Sequence, residues 1–391
     1  MRFVLVALLL SLAAAAGDVE AQKAPKRPSL PATADTNDHN AYFVYGMQRV
    51  ARQPKSAADA FYWATRLAPT WGDAYYAHRV ALHLSDSRRF TRYFFGDRAV
   101  VRSAKVRAID SLAVEALYRN PFYFARFERV MLDRVVAEVT GSSQFMSSRR
   151  TGDPAFDGYL AYSEARFDDA IAHYGDALRR KPREYELRAQ RARAFYHRTM
   201  FDSAANELTI LLEEMRQRDE KQLVYFYDSK AMLEYSLARA YMAQNDDEKA
   251  REALGRALEE DLSFHMAHVD LAELSIARGD TTTALSELAM AVELRGSDAG
   301  VRVRYGDVLA LAGQGSEAVP QYRAAIASEP YFAHPYLRLA LVLEQMGDTA
   351  EAVAQYQAFV DRASRSHSDR ASALQRIAAL GAIGAGTGAR R

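Results

Sequence analysis

The stretch GYLAYSEARFDDAIAHYGDALRRKP, Gly158 to Pro182, decides the fold. Gly158, Ala161 and Ala165 place small residues along one helical face, and Phe167 closes a turn. Ala170, Tyr174, Ala177 and Leu178 then line a second helix that ends before Pro182. Small residues let two helices approach closely, and aromatic residues fill the gap to the next pair. The same spacing recurs outward from this stretch: Ala170 and Ala204 stand 34 residues apart, as do Ala250, Ala284, Ala318 and Ala352 in succession. A fixed period of this size marks a helical-hairpin solenoid, because one repeat cannot bury its apolar face alone.

Five further copies share the pattern. They run through Ala192, Phe195, Phe201, Ala204, Leu208 and Leu211; Ala238, Tyr241, Ala250, Leu254 and Ala257; and Ala272, Gly279, Ala284, Leu288 and Ala291. Gly306, Gly313, Ala318, Tyr322, Ala325 and Pro330 follow, then Ala340, Gly347, Ala352 and Tyr356. The pattern resembles the tetratricopeptide repeat, firmly over Asp157 to Arg365 and loosely over Asn40 to Tyr118, in a protein of the exported bacterial type. The resemblance implies an all-α fold: a right-handed α-solenoid of stacked antiparallel helix hairpins, about seven to eight repeats with a C-terminal capping helix. Asp202, Asp246, Asp280 and Asp348 each precede a second helix, where a carboxylate can satisfy an unpaired backbone N–H. Pro320 falls in the first turn of its helix, where a missing N–H costs nothing.

The ladder also orders the rest of the chain. Residues 1–21 read as a signal peptide: Arg2 precedes the apolar run Val4 to Leu12 and the small residues Ala13 to Ala16, a run too short to span a bilayer. The reading is an exported chain, periplasmic or secreted; a leader left uncleaved as a tether is the other reading. Residues 22–38, with Pro25, Pro28 and Pro31, read as an extended, unpacked linker. Divergent helical repeats with a basic and aromatic insertion are expected over 39–150, with the first helix Asp73 to Leu84 finding its partner only near Ala104 to Tyr118. The regular array runs over 151–365. Its one longer step, 46 residues from Ala204 to Ala250, implies an extended hairpin near 213–230. A capping helix follows over 366–381, with Ala371, Leu374, Ile377 and Leu380 on one side, and then a flexible glycine-rich tail over 382–391.

Composition excludes some chemistry. There is no cysteine among 391 residues, so disulfides, thiol catalysis and cysteine-metal sites are absent. A formal charge of +1 predicts no global pull toward nucleic acid or anionic lipid. His265 and His268 are three apart on a predicted helix but read as ordinary, partly exposed helix residues rather than a metal pair. Gly313, Gly315 and Ala318 match the spacing of a dinucleotide loop, but a helix precedes them where that motif needs a strand. No P-loop, nucleophile-elbow serine or HExxH occurs. The chain is therefore read as a non-enzyme, without catalytic residue, cofactor or metal.

Tetratricopeptide arrays resemble one another in binding peptides with the first helix of each repeat. Carried over by position, that concave face comprises Tyr159, Tyr162, Arg193, Tyr196, Tyr235, Arg239 and Met242, followed by Glu273, Ile276, Val303, Asp307, Leu337, Leu341 and Glu344. Tyr, Arg and Met are enriched in interfaces. The asparagines and lysines with which some family members clamp a terminal carboxylate are missing here. The expected function is a protein-interaction scaffold or adaptor of the cell envelope, holding a protein or peptide, with no nucleic-acid partner and no stable membrane span after leader cleavage. Two alternatives are a binding module for an anionic envelope polymer through Arg88 to Arg107, and an accessory subunit of a separate envelope enzyme. Arg88, Arg89, Arg92, Arg98, Arg102, Lys105 and Arg107 alternate there with Phe90, Tyr93, Phe94 and Phe95, a mixture that suits an anionic polymer. It also suits aromatics packed inward with solvated arginines, or arginines paired with the acidic stretch Glu213 to Asp261.

Overall fold

The structure is a computed structural model that describes residues 24–122, 129–134, 152–182, 184–216 and 229–388. The expected leader and residues 217–228 of the expected hairpin extension lie outside them. Every regular element among the described residues is a helix. The described residues divide into two compact units: those within 24–26, 46–59 and 72–264 form one, and those within 27–45, 60–71 and 265–388 the other.

Hairpins of the expected period fill both. The first unit holds Pro154–Ser163 with Phe167–Arg180, Tyr185–His197 with Phe201–Arg216, and Lys230–Ala243 with Asp247–Glu260. The second holds His265–Ala277 with Thr281–Leu294, Ala299–Leu311 with Gly315–Ser328, and His334–Gln345 with Thr349–Arg362. Each hairpin turns on one residue in the left-handed region. Ala165, Thr199 and Asn245 have φ of 59°, 57° and 60°; Gly279, Gly313 and Gly347 have 77°, 77° and 85°. In all six turns the following amide donates to a carbonyl five residues back, at 2.8 to 3.0 Å: Arg166 to Ala161, Met200 to Phe195, Asp246 to Tyr241, Asp280 to Ser275, Gln314 to Leu309 and Asp348 to Leu343. This bond satisfies a carbonyl that the helix end leaves open.

In two hairpins a glycine of the first helix faces the tyrosine 16 positions later. A Cβ on Gly158 would lie 2.7 Å from the Tyr174 ring, and one on Gly306 would lie 2.6 Å from Tyr322, so the tyrosine occupies the space a side chain would need. Asp246, Asp280 and Asp348 accept from the backbone amides of Lys249, Thr283 and Glu351. Asp202 is not the N-cap: its helix starts at Phe201, so its carboxylate sits inside the first turn, where the helix dipole favours it. Pro320 also departs from the reading. The first turn of Gly315–Ser328 closes with Ala318 donating to Gln314, so Pro320 lies beyond it and the Ser316 carbonyl loses its helical donor.

Six helices precede the regular array: α1 His39–Arg49, α2 Pro54–Leu67, α3 Gly72–Leu84, α4 Ser87–Phe94, α5 Arg98–Val101 and α6 Ala104–Arg119. In the first unit α3 packs on α6, and α4 and α5 form the insertion between them. A buried polar cluster joins them. Arg79 donates to Asp110 (2.8 Å) and to the Tyr93 hydroxyl (2.9 Å), and His83 Nε2 lies 3.0 Å from Asp110.

Two expected boundaries are corrected. Residues 22–38 are not unpacked where the structure describes them: within the second unit the Arg27 guanidinium lies over Trp63 (4.5 Å) and Tyr331 (5.3 Å). Asn37 donates to the Asp361 carbonyl at 2.8 Å, and Asp35 accepts from the Arg365 amide. Prolines without apolar periodicity still anchor through polar groups, and the partners lie about 300 residues away in sequence. At the other end, Arg370–Gly388 is one helix, so the tail of 382–391 is helical through Gly388. The capping face is Ala373, Ile377 and Leu380, packed on the last repeat, whereas Ala371 and Leu374 are exposed. Residues spaced three apart drift by about 60° per step on a helix of 3.6 residues per turn, so an every-third series cannot keep one face.

Candidate partner-binding groove

The first helices carry the residues expected to line a groove, and the structure divides them into two groups. Tyr162, Tyr235, Val303 and Leu337 are core residues. Tyr235, Val303 and Leu337, together with Val269, hold one position of the repeat at multiples of 34 residues, and all are 7% exposed or less. Tyr159, Arg193, Tyr196, Arg239, Met242, Ile276, Asp307, Leu341 and Glu344 are partly buried, and Glu273 is exposed.

The chain itself covers Tyr235 and Tyr196 in the first unit and reaches the ends of first helices in the second. In the first unit the end of α6 and the residues after it lie on the first helices: Tyr235 donates to the Tyr118 carbonyl at 3.3 Å, and Phe122 stacks on Tyr196 at 3.8 Å and 7°. Leu117, Pro121 and Phe122 line a small cleft together with Ala189, Arg193, Met232 and Ser236. In the second unit a Cβ on Gly300 would meet Thr70 at 2.7 Å, Trp63 packs edge-on against Tyr331, and Arg66 pairs with Glu329 at 2.9 Å. The repeat pattern assigns these positions to a partner, but it cannot show that another part of the same chain occupies them.

Inside the second unit the polar members are tied to neighbours. Asp307 accepts from the Tyr322 hydroxyl (2.8 Å) and lies 3.3 Å from Arg338; Glu344 accepts from Tyr356 (2.7 Å) and pairs with Arg376 (2.8 Å). Burial, reinforced by the adjoining carboxylates, pushes both phenols well above the usual tyrosine range. What stays accessible is the C-terminal end of the first helices. Leu311 is 67% exposed and Met346 is 54% exposed, with Ile276 and Leu341 half-buried and Glu273 facing Arg304 at 3.9 Å. Leu311 escaped the sequence reading, although it lies one helical turn past Asp307.

Other polar sites are internal braces. A cleft of about 220 Å³ in the first unit is lined by Thr209, Glu213, Arg216, Glu234, Lys249 and Arg256 among others. Glu234 lies at its base, with one carboxylate oxygen on Arg216 and the other on Arg256. Burial raises its pKa despite the two guanidiniums. With both oxygens paired, the carboxylate ties three helices together. His265 and His268 are buried rather than partly exposed, and His268 Nδ1 lies 2.7 Å from Glu287 on the second helix of the same hairpin. No group of three or more metal-ligating side chains occurs among the described residues. None of the described helices is long and apolar enough to cross a membrane. Gly313 is the hairpin turn, flanked by helices on both sides.

The basic segment is mixed. Phe90 and Tyr93 are buried, Arg89 pairs with Asp86 at 3.1 Å and Arg92 with Asp97 at 2.8 Å. The acidic partners are local, not the stretch Glu213 to Asp261. Arg88, Arg98, Arg102, Lys105 and Arg107 are exposed.

Stacked helical hairpins in both units, turning on one conserved geometry, define an α-solenoid scaffold. Residues 158–213, 235–299 and 306–367 match the tetratricopeptide repeat family. The chain is a tetratricopeptide repeat protein. It is similar to the solved structure of YrrB, a TPR protein with an unusual peptide-binding site: 18% identity, TM-score 0.41, covering 52% of this chain and 96% of that one. It is also similar to MamA (20% identity, TM-score 0.38, 44% and 93% covered). The C-terminal part of a TPR repeat-containing protein from Cytophaga hutchinsonii matches at 14% identity and TM-score 0.44, covering 52% of this chain and 77% of that one. No curated protein matches. The family is one of protein-interaction scaffolds in general.

Proposed function

We propose that this chain is an exported, non-catalytic scaffold of the cell envelope, periplasmic or secreted, that holds a protein or peptide along the C-terminal ends of its first helices. One observation carries the reading. Tyr235 and Tyr196 are covered by the chain's own residues and Val303 and Leu337 lie in the repeat core, while Leu311 and Met346, on consecutive repeats, stay more than half exposed. Exposed apolar side chains near the ends of the first helices in adjacent repeats suit a partner that spans repeats. The N-terminal sequence Met1 to Ala16 supports export.

Photo-crosslinking in cells tests the site. A crosslinker at Leu311 or Met346 is expected to trap a partner, one at Thr282 on an outer helix is not, and Leu311→Asp with Met346→Asp abolishes capture. Equal capture from Thr282 would sink the reading. Export is tested separately by N-terminal sequencing of the purified chain, expected to begin near Gly17 or Gln22; an intact Met1 in the cytoplasmic fraction would reject it.

A further inference from the structure

The α4–α6 segment combines two features that no groove function uses: an exposed apolar tip and an excess of exposed cations. Phe90 and Tyr93 point inward, and Tyr93 is fixed by Arg79. Phe95 points outward and is 63% exposed, with the half-buried Phe94 ring 5.7 Å away. The turn is well defined. Gly96 takes φ 75°, Asp97 donates to the Arg92 carbonyl at 2.9 Å, and the Asp97 carboxylate caps α5 through Ala99. Phe95 is therefore presented on a braced loop.

The segment that carries it is cationic. Over residues 86–107 the seven basic side chains face two acidic ones, Asp86 and Asp97, and those are already paired with Arg89 and Arg92. Arg88, Arg98, Arg102, Lys105 and Arg107 remain exposed, and none makes an ion pair among the described residues. Lys105 and Arg107 stand in the first turn of α6, which holds no acidic residue, although the helix dipole there favours acids. The chain's +1 formal charge hides this local excess.

From this juxtaposition we propose that the α4–α6 segment is a peripheral docking surface for an anionic phospholipid bilayer. Phe95 enters the boundary between headgroups and acyl chains while the five cations meet lipid phosphates. A lipid surface is favoured over a soluble anionic polymer because only the bilayer offers an apolar layer directly beneath the charge.

Vesicle co-sedimentation of the full chain tests this. Vesicles with phosphatidylglycerol are expected to bind it, pure phosphatidylcholine vesicles at least tenfold more weakly, and raising salt from 0.1 to 0.5 M should weaken binding about tenfold. Phe95→Ala removes no charge and should still lower affinity several-fold; Arg98→Glu with Arg102→Glu should abolish binding. Phe95→Trp should restore binding and be quenched by lipids brominated on the acyl chain beyond the quenching of native Trp63 and Trp71. If Phe95→Ala binds like the parent, if the Phe95→Trp indole escapes acyl-chain quenching, or if soluble polyphosphate binds as well to Phe95→Ala as to the parent and vesicles do not compete, the lipid assignment is wrong.

Discussion

Substituting the turn residues one at a time measures what the repeat turn demands of the backbone. Nothing lies within 4 Å of a Cβ built on Gly313, Gly279 or Gly347, so Gly313→Ala meets no neighbour, and its cost is the left-handed backbone alone. That cost is about 1–2 kcal/mol, offset by roughly 0.4–1 kcal/mol because alanine restricts the unfolded chain. A net loss of about 1 kcal/mol is expected. The reverse change at Thr199, at φ 57°, relieves the same strain and gives back the same entropy, for a net gain of about 0.5–1 kcal/mol. Ala165→Gly should behave similarly. Asn245→Gly should gain least, since asparagine visits this region readily. Urea unfolding followed by far-UV circular dichroism gives the midpoints, with slopes expected to stay equal. A stability-neutral Gly313→Ala, or a destabilised Thr199→Gly, would refute the assignment of strain to the six turns.

The packing and polar clusters yield further expectations. Gly306→Ala, whose Cβ would sit 2.6 Å from Tyr322, should lose about 1–3 kcal/mol by overpacking, whereas Gly255→Ala, with no neighbour within 4 Å, should gain roughly 0.5–1 kcal/mol of helix propensity; thermal melts of both variants check the contrast. Asp110→Asn should cost about 3–5 kcal/mol by leaving Arg79 and His83 buried beside a neutral amide, seen as loss of soluble folded protein or a large fall in urea midpoint. Burial holds His83 at a pKa of about 4, against the pull of Asp110. The unfolded chain binds that proton near pH 6.5 and the folded one does not, so stability should fall between about pH 6.5 and 4, by on the order of 3 kcal/mol; His83→Gln should flatten that slope, and an unchanged slope counts against a buried neutral imidazole.

The hairpins were legible because their causes are local. The period of Ala170, Ala204, Ala250, Ala284, Ala318 and Ala352, the small-to-aromatic pairing of Gly158 with Tyr174, and the caps at Asp246, Asp280 and Asp348 all act within one or two repeats. The delayed partner of α3 was legible too, since α6 carries its own apolar face. The burial of the histidines was not legible because it is set by neighbouring helices, as where His268 meets Glu287 one helix away. Ile377 and Leu380 of the cap pack as expected, but Ala371 and Leu374 do not, because residues three apart make a face that a 3.6-residue turn cannot keep.

The groove marks the limit. Helical periodicity places Tyr235, Val303 and Leu337 on the inner side of their helices, and that placement is a matter of local geometry. Whether the inner side meets water, a partner or the chain itself depends on segments far away in sequence. Tyr118 and Phe122 cover it in the first unit, and Thr70 and Trp63 reach the first-helix ends in the second. The sequence by itself determined the repeat, its register and its turns, because each rests on contacts between near neighbours. Only the tertiary structure decided which faces remain open, because burial is a property of everything that packs against a residue, and those contacts carry no period.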